Sequence, residues 1–141
     1  MTVKLWVFPW LLLAVALGWV QSAKAADEPS SGRLFEMRTY VANDGKMADL
    51  HKRFREHTNK LFVKHGMELV GYWTPVDGPD AANTLVYILA YPNKEAREKS
   101  WKGFMADADW QAAYKASHVA GPLVKKVESK FLNPTDYSPI K

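Results

Sequence analysis

Leu85-Val86-Tyr87-Ile88-Leu89-Ala90-Tyr91 is apolar at every position. A strand with one face in water alternates polar and apolar residues, so an unbroken apolar run describes a strand covered on both sides. The loop 76–83, with Asp77-Gly78-Pro79-Asp80, bounds the run on one side, and Pro92-Asn93 bounds it on the other. Working outward, residues 34–41 alternate, with Phe35, Met37 and Thr39 on one face and Glu36, Arg38 and Tyr40 on the other, which predicts a first strand. After the turn Asn43-Asp44-Gly45, residues 46–65 carry Met47, Leu50, Phe54 and Leu61 at helical spacing. Lys52, Arg53, Arg55, Glu56 and Lys60 fall mostly elsewhere on the cylinder, and Gly66 stops the helix. Residues 67–74 read as a second strand closed by Pro75, and residues 84–91 as the third. Helices are expected over 94–105 and 110–118, with a break at 107–109. A fourth strand is expected over 124–132, and an extended tail over 133–141.

The order is β-α-β-β-α-β. It predicts an α+β, ferredoxin-like domain over residues 34–141, with a four-stranded antiparallel sheet and helices on one face. That architecture leaves the second face of the sheet bare, whereas the third strand is apolar on both sides. With no chain left over to cover it, a second copy is the simplest cover. The expectation is therefore a homodimer with two sheets face to face.

The first residues have the three parts of an export signal. Lys4 supplies the positive region, residues 5–20 are uncharged and apolar, and Ala23-Lys24-Ala25 places small residues at the spacing of a cleavage site. The apolar stretch is shorter than the ~18 residues that suggest a spanning helix, and Pro9 interrupts it. The reading is a signal peptide over 1–25 cleaved after Ala25, a flexible segment over 26–33, and a secreted or periplasmic product not held in the membrane. The sequence contains no cysteine, so neither a lipid anchor nor a disulfide framework is available. Cleavage removes Lys4 and Lys24, two of 19 basic residues set against 15 acidic ones. The near-balance that remains gives no basic stripe, and no nucleic-acid partner is expected.

Several segments together resemble the NIPSNAP family. They are Phe35-Glu36-Met37-Arg38-Thr39-Tyr40, Lys64-His65-Gly66-Met67, Gly71-Tyr72-Trp73, Trp101-Lys102-Gly103-Phe104, Asp109-Trp110-Gln111 and the closing run 131–139. The resemblance covers nearly everything from Leu34 onward and implies the dimeric α/β-barrel variant of the ferredoxin-like fold. It brings no agreed activity and no catalytic residues to carry over. Through the wider superfamily it implies, by fold analogy alone, relatives that include cofactor-free oxygenases.

Five residues are pocket candidates. His57 follows Met47, Leu50 and Phe54 on the apolar stripe of the first helix, where an imidazole needs a cavity or a partner. Glu36 and Arg38 share a strand face and, if that face is buried in a dimer, must be paired inside a barrel. Tyr72 and Tyr87 belong to an aromatic-rich set that can wall a pocket for an apolar ligand. No metal site is expected, because His51 and His57 stand on different sides of a helix and no H-E-x-x-H spacing occurs. No cofactor is expected, and there is no G-x-S-x-G nucleophile motif. The functional expectation is an exported barrel that binds a small, largely apolar ligand or serves as an accessory protein. The alternatives are a cofactor-free oxygenase or isomerase using His57, and a protein-interaction module docking through the basic helix.

Overall fold

The computed structural model describes residues 32–141. The expected signal peptide 1–25 and nearly all of the segment 26–33 lie outside the described residues. Strand β1 (Leu34–Ala42) leads into a long helical segment made of α1 (Met47–Arg53), a π-helical turn (Phe54–Thr58) and α2 (Asn59–Lys64). Strands β2 (Glu68–Trp73) and β3 (Thr84–Tyr91) follow, with a 3-10 turn (Ala81–Asn83) between them. Helices α3 (Lys94–Ala106) and α4 (Ala108–Ser117) and strand β4 (Val124–Leu132) complete the domain. The four strands form one antiparallel sheet in the order β2-β3-β1-β4, the ferredoxin-like arrangement anticipated from the pattern.

The helix starts and stops have local causes. The Asn93 side chain accepts from the Ala96 backbone N–H at 2.8 Å and caps α3. Asp107 alone separates α3 from α4, a tighter break than the three residues expected, because its carboxylate accepts from the Asp109 and Trp110 N–H groups and caps α4. Gly66 takes φ +78° and ends α2, a conformation that side-chain-bearing residues rarely adopt.

The π-helical turn changes what the long helical segment presents to the core. Asn59 donates its N–H to the Phe54 carbonyl, and Thr58 Oγ1 donates to the Arg53 carbonyl at 3.2 Å. Both reach back five residues rather than four, so one extra residue is accommodated in the turn. The buried positions therefore run Leu50, Arg53, Phe54, Thr58, Leu61, Phe62. Thr58 occupies the inward place that an unbroken α-helix gives to His57.

Register decides which face of β1 meets the helices. Glu36 lies opposite Leu89, Arg38 opposite Tyr87, and Tyr40 opposite Leu85. Directly paired residues share a face, and Leu85, Tyr87 and Leu89 are all buried in the main core with Leu50, Phe54 and Phe62. Glu36 and Arg38 thus point into the layer between sheet and helices, not onto the bare face. Because β3 is apolar on both sides, it gave no phase from which to choose.

The other face carries Met37, Val41, Val86 and Ile88, all half-buried, together with Trp73, which is half exposed. The Trp73 indole packs against Gly71, where a Cβ would come within 2.6 Å of the ring. Part of this face is covered by the chain itself. The tail 133–141 comes back against Phe35, Val70 and Ile88, with Arg33 Nη1 donating to the Lys141 carbonyl at 2.8 Å. The premise that no chain is left to cover the face is corrected to that extent.

Candidate functional site

Between the sheet and the helices, at the β4 side, lies a cleft of about 350 Å³. Its existence follows from the helix layer being narrower than the sheet. The helix-facing residues of β4, Val127 and Phe131, remain about half exposed, whereas those of β3 are buried. Aromatic rings make much of the wall: Tyr40 from the sheet, Phe54 and Phe62 from the long helical segment, Trp101 and Phe104 from α3, and Trp110 from α4. The basic side chains Arg38, Arg53, His118, Lys125 and Lys126 also line it. The rings hold one another in edge-on or tilted pairs, with Phe62–Phe104 centroids at 4.8 Å and Phe104–Trp110 at 4.4 Å. Such a wall is preformed, as a ligand cavity requires.

Behind the lining residues Arg38 and Trp101 lies a polar cluster organised around Glu36, whose side chain is completely buried. Its Oε1 accepts from Arg38 Nη1 at 2.7 Å, Arg97 Nη2 at 2.8 Å and Ser129 Oγ at 2.7 Å. Its Oε2 accepts from Arg97 Nε at 2.9 Å, Trp101 Nε1 at 3.1 Å and the Tyr91 hydroxyl at 3.1 Å. Burial alone pushes this carboxyl up. The hydrogen bonds from Arg97, Ser129 and Arg38 outweigh it and bring the pKa down to about 2. Glu36 therefore stays ionised and ties β1 to β3, β4 and α3. Arg38 Nε donates to the Tyr87 hydroxyl at 3.0 Å, and its guanidinium lies 4.4 Å from the Trp101 ring centroid. Burial pushes the Tyr87 phenol well up, as it does that of Tyr91.

Arg53 is different. It is 5% exposed, lines the cleft, and sits 5.3 Å from the Trp110 ring centroid and 5.6 Å from that of Tyr114. Nη1 donates to Ser117 Oγ at 3.2 Å, and Nε has no hydrogen-bond partner among the described residues. Desolvation lowers its pKa, opposed by the nearby phenols of Tyr40, Tyr114 and Tyr87.

Of the five residues expected at a pocket, Arg38 lines the cleft, and it is hydrogen-bonded to Glu36 and Tyr87, which are fully buried beside it. Tyr72 stacks on Tyr87 at 5.5 Å but lies on the β2 side of the core, against a different groove. Its hydroxyl is buried without a partner among the described residues, and burial raises its pKa. His57 is elsewhere. Its side chain is 42% exposed, 3.8 Å from Glu56, in an outer groove between the long helical segment and α4. The π-helical turn is the reason. Arg53, Arg97, Tyr91 and Ser129 were not anticipated. For Arg53 a signal was present, since it lies three residues after Leu50 and adjoins Phe54 on the apolar stripe.

A second polar cluster is structural. His65 Nε2 lies 2.7 Å from Asp107 Oδ2, and Lys64 Nζ lies 2.8 Å from the same oxygen. These contacts pin the end of α2 to the α3–α4 junction. The hydrogen bond from Lys64 is the largest of several effects that hold the Asp107 carboxyl well below the usual carboxylate range. Gly103 makes room for the imidazole, because a Cβ there would stand 2.8 Å from His65 Nδ1. Among the described residues, no three His, Cys, Asp or Glu side chains converge to hold a metal ion, and no helix is long and apolar enough to cross a membrane.

The chain is matched over residues 35–139 by the NIPSNAP family model. Similar solved structures include a NIPSNAP domain protein from Burkholderia xenovorans, 29% identical, with 75% of this chain and 98% of that one covered at a TM-score of 0.65. A NIPSNAP family protein from Agrobacterium tumefaciens is 26% identical, with 78% and 100% covered at a TM-score of 0.69. The cofactor-independent oxygenase SnoaB from Streptomyces nogalater shares the fold at 14% identity, with 76% and 97% covered and a TM-score of 0.51. No curated protein matches. The ferredoxin-like α+β domain thus has the architecture of NIPSNAP proteins and of at least one oxygenase. The chain belongs to the NIPSNAP family.

Proposed function

We propose that this NIPSNAP protein is exported, pairs with a second copy through the part of the outer sheet face that its tail leaves open, and binds a small, largely apolar ligand in the cleft between sheet and helices. The observation that carries the reading is the cleft itself, about 350 Å³ lined by a cluster of aromatic rings together with Arg38 and Arg53. Pairing is supported by the half-buried apolar row of Met37, Val41, Val86 and Ile88, which a wet sheet face does not need. A catalytic role for His57 gains no support from its place in the outer groove, away from the aromatic wall.

The test is native mass spectrometry of the secreted chain, with light scattering alongside. The expected result is a chain beginning at Ala26, dimeric at micromolar concentration, that retains a small molecule. Val127→Trp, a change at an exposed position of the cleft wall, should expel that molecule. A monomer sinks the pairing, and retention unaltered by Val127→Trp sinks the cleft as the binding site.

A further inference from the structure

Arg53 presents a problem that the rest of the cleft does not. A guanidinium taken out of water needs a carboxylate or a full set of acceptors, and without them its burial costs several kcal/mol. Arg38 and Arg97 meet that need on Glu36. Arg53 has one neutral acceptor, Ser117, two flanking rings and a buried Nε with no partner among the described residues. Arg53 and Ser117 also border the outer groove, where Asp49 and Glu56 are exposed, but among the described residues no carboxylate forms an ion pair with Arg53. Of the other cations that line the cleft, Arg38 is paired with Glu36, Lys126 is paired with Glu128, and Lys125 is exposed to water, which leaves Arg53 as the buried cation without a carboxylate among the described residues. The π-helical turn lies immediately after Arg53, and such turns are maintained at a local cost, frequently where a side chain must be aimed at a site.

We propose that Arg53 is the seat for the carboxylate of the cleft's ligand, which is therefore an amphipathic monocarboxylate: one planar anion on a compact apolar or aromatic body. This rests on the cleft being the binding site proposed above. Nη1 is engaged by Ser117 and Nε is enclosed, so the carboxylate would meet the guanidinium through Nη2, and the aromatic wall takes the rest. A single buried guanidinium balances a monoanion at the aromatic wall, whereas Lys125 and Lys126 stand at the exposed β4 side of the cleft, where water screens their charge.

Titration calorimetry on the mature protein with naphthoate, naphthylmethanol and naphthyl phosphate tests it. These probes share one apolar body and differ in the head. Naphthoate should bind about tenfold to a hundredfold more tightly than the alcohol, the scale of one charge-assisted hydrogen-bonded contact. Arg53→Met should erase that preference while leaving the alcohol's affinity within about twofold and the melting temperature unchanged or raised, because it removes a buried charge without a counterion. Arg53→Lys, which keeps the charge but not the fork, should retain part of the preference.

Equal binding of acid and alcohol by the wild type overturns the carboxylate seat and leaves the cleft standing. Preference for the phosphate ester overturns the monocarboxylate class. An Arg53→Met protein that loses stability yet still prefers the acid assigns Arg53 to the scaffold and overturns the proposal. Binding of none of the probes, or binding unaffected by Val127→Trp, removes the cleft reading as well.

Discussion

Replacing Glu36 by glutamine removes one charge and keeps nearly the same shape, at the point where three strands and a helix are tied together. The carboxylate is fully buried and accepts from Arg38, Arg97, Trp101, Tyr91 and Ser129. Its titration lies at about 2 rather than 4.5, and that interval, at about 1.4 kcal/mol per tenfold in proton affinity, amounts to about 3 kcal/mol. The folded-state value is the lower one. The stabilisation is therefore complete above about 4.5 and drains away as the pH falls towards about 2. In the variant, an amide NH₂ faces donors and two guanidiniums lose their counterion, so the cost at pH 7 should be about 3 kcal/mol or somewhat more.

Urea unfolding of both proteins at about pH 7 and about pH 3 measures the effect. The gap between them should narrow by about 2 kcal/mol at the lower pH, where the wild-type carboxyl is already protonated in the unfolded chain. Asp107 is displaced in the same direction. It is present in both proteins, so its contribution cancels in the difference. A gap under about 1 kcal/mol at pH 7, or one that does not narrow on acidification, would refute the assignment of Glu36 as the ionised hub.

Two further substitutions test neighbouring parts of the packing. Gly103→Ala gains about 1 kcal/mol of helix propensity but puts a methyl 2.8 Å from a His65 ring fixed by Asp107. Overpacking typically costs about 1–3 kcal/mol, so a net loss of about 1 kcal/mol is expected in thermal unfolding, and a rise in melting temperature would show that the ring is not held. Tyr72→Phe deletes a buried hydroxyl with no partner among the described residues, so stability should hold within about 0.5 kcal/mol or rise slightly. A loss above about 1 kcal/mol in urea unfolding would mean the hydroxyl is paired after all.

Legibility of the fold and the site differed for physical reasons. Strands announce themselves by period and by turn residues, and here Asn43-Asp44-Gly45, Gly66, Pro75 and Pro92 punctuate the elements cleanly. The element order then left few topologies, and the observed sheet is the expected one. Phase was harder. Nothing in Leu85 to Tyr91 says which side faces the helices. In β1 the more apolar set, Phe35 and Met37, turned out to be the set on the other side of the sheet. Glu36 and Arg38 can be inside only because Arg97, Trp101, Tyr91 and Ser129 come to them from 55 to 93 residues away in sequence. His57 was misplaced by a single inserted residue, which period counting at 3.6 residues per turn cannot detect. Arg53 precedes the insertion and its place on the stripe was readable, but a charged residue beside an apolar stripe is ordinarily assigned to solvent.

The five-residue turn from Phe54 to Thr58 also acts as a spacer whose length, rather than composition, carries information. Deleting one residue within it would let α1 and α2 fuse into an uninterrupted α-helix with better local hydrogen bonding. The fusion would swing everything on the N-terminal side by about 100° about the helix axis. Leu50 and Phe54 would leave the core and Arg53 would leave the cleft, although no side chain had been altered. Two chains of this fold could thus agree at Arg53 and still differ in whether it reaches the cleft. The number of residues between the end of β1 and Gly66 is the quantity to compare.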